Sequence, residues 1–114
     1  MEAAVLQNSI GVGGRSKVLA TAIDLLTEKG YSVDIHTLSN QTDITRFLNN
    51  YQFEQSSVRT ITHYGSAVPG AIYQQPILNI ASRNYLGEYD LVFNSNNCVR
   101  FLPSGPDYIH YVHF

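Results

Sequence analysis

Apolar and polar positions change period several times along the chain, and each change marks an element. Ala3-Ala4-Val5-Leu6 is a short continuous apolar run followed by turn-forming residues, which predicts a buried strand. From Ser16 to Lys29 the apolar residues Val18, Leu19, Ala22, Ile23, Leu25 and Leu26 recur at intervals of three and four. That spacing predicts one helical stripe, with Lys17, Thr21, Asp24 and Glu28 on the other side and Gly30 as the C-terminal stop. Between Ser32 and Leu38 the period drops to two: Val33, Ile35 and Thr37 alternate with Asp34 and His36, as in a strand. Strand, glycine turn, helix and strand within about forty residues make a βαβ unit, and therefore a parallel pair.

The second half is read in the same way. Asp43 to Phe53 carries Ile44, Phe47, Leu48 and Tyr51 at helical spacing, with Asp43 near the start. Val58 to Thr62 alternates and is a third strand, and Gly65 to Gly70, with Pro69-Gly70, is a loop. Ile72 to Leu86 is apolar with partly helical spacing, and Pro76 is expected to delay a regular helix until near or after it. Its first part, Ile72 to Leu78, reads as core rather than as a groove for a lipid acceptor. Tyr89 to Phe93 is a strand whose continuous Leu91-Val92-Phe93 fits burial on both faces. Asn94 to Pro106 is a polar loop or broken helix, and Tyr108 to Phe114 is the last strand.

Composition narrows the functional classes. The 114 residues support one domain, and a hydrophobic share of 44% with 14% charged residues places the chain among globular proteins rather than disordered ones. A net charge of −2 provides no basic face for nucleic acid, and seven Lys and Arg provide no polybasic segment for anionic lipid. A single cysteine, Cys98, excludes an internal disulfide framework and fits a reducing, cytoplasmic setting. With no histidine or CxxC partner beside it, Cys98 is not read as a nucleophile.

The strongest chemical signal is the turn Asn8-Ser9-Ile10-Gly11-Val12-Gly13-Gly14-Arg15-Ser16 between the first strand and the first helix. Glycines there let backbone N–H groups approach a ligand, and the helix start favours a phosphate or carboxylate. Ser16 is a candidate cap, with Arg15 and Lys17 beside it. The spacing is neither the GxGxxG dinucleotide fingerprint nor a GxxxxGK[ST] phosphate loop. A plain tight turn is the alternative reading. Asn94, Ser95, Asn96 and Asn97 follow a strand's C-terminal end, where they either line a cleft or form an ordinary polar turn. His36 and His63 read as exposed or strand-end residues, and His110 as structural. His110 and His113 fall on opposite faces of a strand, which argues against a shared metal. Eight tyrosines and no tryptophan give no stacking platform that the sequence locates.

Several stretches carry a resemblance to a known family. Gly13-Gly14-Arg15-Ser16-Lys17-Val18-Leu19, the helix ending at Gly30, and Tyr31-Ser32-Val33-Asp34-Ile35-His36-Thr37 resemble the opening of glycosyltransferases of the GT-B fold. The likeness is to family 4, a retaining group that uses nucleotide sugars and includes mannosyltransferases of lipid-linked oligosaccharide assembly. Tyr89-Asp90-Leu91-Val92-Phe93-Asn94-Ser95 is similar to that family's YDLV strand, and Tyr111-Val112-His113-Phe114 to its YVH-aromatic segment. The four stretches occur in order across nearly the whole chain. Ser16 stands where family members often carry an acidic residue.

The resemblance implies a Rossmann-like α/β domain with about five mainly parallel strands. It further implies the N-terminal, acceptor-side half of a two-domain enzyme that transfers sugar from a nucleotide-sugar donor to a sugar or lipid-linked acceptor. Gly13, Gly14, Arg15 and Ser16 would lie at the cleft, and His113 would contact the donor sugar as the catalytic residue. Neither metal nor cofactor is implied, and the leaving phosphate would be stabilised electrostatically. Nothing in the chain matches the family's second domain, which holds most of the donor site and a glutamate pair. The half-enzyme alone is therefore expected to be inactive and to dimerise through its uncovered face. The full-length enzyme would sit in the cytoplasm, with peripheral association at the membrane face. The alternatives are a stand-alone nucleotide- or phosphate-binding module and a protein-interaction module.

Overall fold

The computed structural model describes residues 1–7, 10, 14–38, 41–51, 53, 58–63, 71–95 and 101–111, with the side chains of 14, 15, 41 and 71–77 outside that description. The elements are β1 (Glu2–Leu6), α1 (Gly14–Glu28), β2 (Ser32–Thr37), α2 (Gln41–Asn50), β3 (Val58–Thr62), α3 (Ala71–Leu86), β4 (Leu91–Asn94) and β5 (Asp107–His110). The five strands form one sheet in the order β3-β2-β1-β4-β5, and every neighbouring pair is parallel. This is the Rossmann-like α/β arrangement.

Two apolar layers hold the sheet. On one face Ala3, Val5, Val33, Ile35 and Val58 pack with Leu19, Ile23 and Leu26 of α1 and Ile44, Phe47 and Leu48 of α2. On the other, Ala4, Leu6 and Val92 pack with Leu78 and Leu86 of α3 and with Tyr89 in the turn before β4. The helical stripe of α1 is as expected except at Leu25, which is half exposed. It lines an apolar groove of about 320 Å³ with Lys17, Val18, Thr21, Ala22, Phe93 and Tyr111.

α1 ends where expected. Gly30 has φ of 90°, its N–H bonds to the Thr27 carbonyl at 3.1 Å, and the Tyr31 N–H bonds to the Leu26 carbonyl at 3.0 Å. This pair of bonds caps the last carbonyls and needs a left-handed residue at position 30, which glycine supplies without a Cβ penalty.

Three expectations are corrected. α3 begins at Ala71 and runs through Pro76 rather than starting near it. The proline forfeits one helix bond, and burial of the apolar Leu78 and Leu86 further along offsets that loss. Tyr89 lies in the turn before β4, not in the strand. In β2, His36 is not exposed: Val33 through Thr37 are all buried, because helices cover both faces of an inner parallel strand.

Candidate functional site

The order β3-β2-β1-β4-β5 reverses direction between β1 and β4, and their carboxyl ends border the crevice where open parallel sheets bind ligands. The ladder continues one residue past these ends. The Gln7 N–H bonds to the His36 carbonyl at 3.1 Å, that of Ser95 to Leu6 at 3.0 Å, that of His63 to Thr37 at 3.1 Å, and that of Tyr111 to Asn94 at 2.9 Å. One edge of the sheet thus presents His63, Thr37, Gln7, Ser95 and Tyr111 as a row.

Its floor is polar. Gln7, Ser16, Thr37, Asn94 and Ser95 are all buried. The Ser95 hydroxyl donates to Gln7 Oε1 at 3.0 Å, tying the ends of β1 and β4 together across the switch point. Asn94 Nδ2 donates to His110 Nδ1 at 3.0 Å, and the His110 ring stacks on Tyr108. Buried polar groups are retained where they are bonded, and here they shape the mouth of the crevice.

Of the sequence-derived candidates, Gly13 and His113 lie outside the described residues. Gly14 and Arg15 occupy the first turn of α1, with their side chains outside the description. Ser16 is the third helical residue and buried, so it is not the cap. The first turn of α1 contains no acidic residue, so no side chain there offsets the positive end of the helix. Asn96, Asn97 and Cys98 are outside the described residues, whereas Asn94 and Ser95 lie at the crevice.

A second group of residues is gathered by the fold and by no short motif. Asp34 and His36, two apart on β2, both face α3. The His36 ring, next to the end of β2, is wholly buried rather than exposed, because Tyr89 and Tyr85 close over it. Arg59 donates to Asp34 from Nε at 3.2 Å and from Nη2 at 2.7 Å. The Tyr89 hydroxyl donates to Asp34 Oδ2 at 2.5 Å and lies 3.0 Å from His36 Nε2. His36 Nδ1 lies 2.7 Å from His63 Nε2, with the two ring planes only 16° apart, as an in-plane N–H···N bond requires. Arg59, Asp34, Tyr89, His36 and His63 therefore form one chain of bonds running to the C-terminal edge.

The charge states follow from the surroundings. Burial pushes the Asp34 carboxyl up, but the bonds from Arg59 and Tyr89 and the Arg59 charge outweigh it and hold the group below its ordinary value. Burial, then the Asp34 bond and charge, push the Tyr89 phenol well above its ordinary range. Burial, reinforced by His63, takes His36 down to about 4. Burial also lowers His63. Asp34 is therefore ionised at neutral pH and both imidazoles are neutral.

Tyr89→Phe removes the hydroxyl that serves both Asp34 and His36 and leaves two buried polar groups a partner short. The expected cost is about 2 kcal/mol, seen as a lower urea midpoint at unchanged slope. A midpoint equal to the parent's would show that the hydroxyl contributes nothing to stability.

Other concave surfaces lie away from the switch point. A groove of about 550 Å³ runs along α2 beside Thr42, Thr45, Arg46, Asn49 and Asn50. One of about 490 Å³ sits at the opposite edge of the sheet, near Glu2, Gly30 and Ser32. Neither gathers the buried polar groups found at the carboxyl ends of the strands. Among the described residues no cluster of three or more His, Cys, Asp or Glu is placed to hold a metal, and no helix is long and apolar enough to cross a membrane. Comparison of the chain with protein-family models, with curated proteins and with solved structures found no match.

Proposed function

We propose that this chain is the acceptor-side, N-terminal half of a retaining glycosyltransferase that takes a sugar from a nucleotide-sugar donor. The observation that carries this reading is the switch point between β1 and β4. The glycine-rich turn leads from β1 to the start of α1, whose first turn carries no acidic residue, at that place. A ligand in the crevice would meet backbone N–H groups and a helix N-terminus, a combination suited to phosphate or to acceptor oxygens. The resemblance of the glycine turn, the YDLV strand and the YVH segment to family 4 supplies the enzyme class.

In this reading Gly13, Gly14, Arg15 and Ser16 line the acceptor side of the cleft, and His113 contacts the donor sugar. The donor nucleotide is held mostly by a second domain. The apolar groove between α1 and β4, with half-exposed Leu25 and Tyr111, is a surface that such a domain or a second copy would cover. That groove also favours the second reading, a protein-interaction module.

Isothermal titration tests the half-enzyme reading. The 114-residue chain is expected not to bind nucleotide sugars at micromolar concentration. In the two-domain enzyme His113→Ala is expected to lower kcat by about 10²-fold, the effect of removing one group that stabilises a transition state. Micromolar binding by this chain alone would instead make it a self-sufficient nucleotide-binding module. Unchanged kinetics would remove His113 from the site.

A further inference from the structure

The bond chain beneath α3 has a direction, and the direction decides what its half-buried outer end, His63, can bind. Ionised Asp34 is an acceptor only, so the Tyr89 proton points to Asp34 Oδ2 at 2.5 Å. The phenol oxygen can then only accept: Arg59 donates to it on one side, and His36 Nε2, at 3.0 Å on the other, must carry hydrogen rather than set its lone pair against the oxygen. Neutral His36 has only one N–H, so its Nδ1 is the acceptor in the 2.7 Å bond with His63. His63 Nε2 is the donor. A neutral His63 is left with a lone pair on Nδ1, an atom with no partner among the described residues.

We propose that His63 is a ligand-binding residue whose Nδ1 accepts a hydrogen bond from a sugar hydroxyl held at the C-terminal edge of the sheet, with His36, Tyr89 and Asp34 as positioning residues. The sugar class rests on the glycosyl-transfer reading. The need for a hydrogen-bond donor does not, because a lone pair is repelled by phosphate or carboxylate oxygens. A metal ion is a poor match, since His36 and His63 already bond to each other and no third ligand joins them among the described residues.

Two further observations favour a saccharide. Tyr85 is half exposed, and its ring centre lies 5.4 Å from that of His63. It supplies the flat apolar face on which the C–H side of a sugar ring packs, beside an acceptor for its hydroxyls. His63 stands two strands from Gln7, about 10 Å along the edge at ordinary strand spacing. A disaccharide seated at the switch point and extending towards β3 would reach it.

Nitrogen-15 spectra of the histidine rings at neutral pH provide the test. Both His36 and His63 are expected to carry hydrogen on Nε2 and none on Nδ1. Methyl glucosides and methyl mannosides, added to tens of millimolar, are the probes. They are expected to shift the His63 Nδ1 and Tyr85 ring signals together and saturably, and Tyr85→Ala should weaken the response about tenfold. Hydrogen on His63 Nδ1 would overturn the proposal. So would shifts confined to Gln7 and Ser95, which would leave a sugar site at the switch point without His63. No response at any residue would also overturn it, while turnover of a nucleotide sugar by the two-domain enzyme would separately keep or discard the glycosyl-transfer reading.

Discussion

Acidification from about pH 7 to pH 4 is expected to remove on the order of 3 kcal/mol from the stability of this domain. The main source is His36, whose ring is buried and whose titration falls from 6.5 to about 4, through burial first and then through His63. Between those two values the unfolded chain binds a proton at this position and the folded chain does not. Stability therefore rises with pH across that window and is lost as pH falls through it. The magnitude is the shift expressed as free energy, at about 1.4 kcal/mol for each pH unit. His63 adds a loss of the same sign starting just below 6.5, because burial lowers it too. Asp34 acts later. Its contribution is complete above its unfolded value of 3.8 and disappears as pH drops below that. Urea unfolding followed by circular dichroism over this pH range reads the effect directly. His36→Gln, which carries no titrating proton there, should flatten most of the slope. A parent midpoint that stays constant from pH 7 to pH 5 would show that His36 titrates normally.

The largest loss from a single core substitution is expected at Ile35→Ala, about 3 to 4 kcal/mol. Ile35 is fully buried on the face packed by α1 and α2. Its strand is hydrogen-bonded on both sides, Ile35 pairing with Val5 of β1 and Thr60 of β3. A strand anchored on both edges cannot move to fill the vacated space, so the cavity cost adds to the lost transfer energy. For a domain with a typical stability of about 5 to 15 kcal/mol this is a large fraction of the whole. Leu25→Ala, half exposed on α1, is the matched control and should cost less than about 1 kcal/mol. Equal losses at the two positions in urea unfolding would mean that the burial pattern of the two layers is wrong.

The parts of the fold legible in the sequence were those governed by local period and local punctuation. The stripe Leu19, Ala22, Ile23 and Leu26, the stop at Gly30 and the β3 span Val58–Thr62 all follow from spacing alone. What escaped was set by neighbours distant in sequence. Asp34 and His36 read only as the polar positions of an alternating strand, because nothing local says that α3, some forty residues later, covers them. One signal was nonetheless present. An inner strand of a parallel sheet should be apolar on both faces, so a carboxylate and an imidazole at positions two apart call for buried partners. Those partners, Arg59, His63 and Tyr89, come from β3, its following residue and the turn before β4. Their convergence is a property of strand order and not of any short motif. Tyr85 is the same case: the packing of α3 over β2, and no local motif, sets it beside a histidine pair.

The central place of β1 has a consequence for biosynthesis. Of these five strands it is translated first, yet its β4 partner ends at Asn94, and the bonds joining Glu2 to Asp90 at 2.8 and 2.9 Å span 88 residues. At about 5 to 20 residues per second, a ribosome needs several seconds to deliver the second half of that ladder. During this interval β1, α1, β2, α2 and β3 can assemble as a half-sheet, but Ala3 to Leu6 present an unpaired apolar edge. The nascent chain thus passes through a stage with a strand open to any other extended peptide, its own copies on the same polysome included. Slow codons before β4 would prolong that stage, and a chaperone that holds extended apolar segments would act upon it.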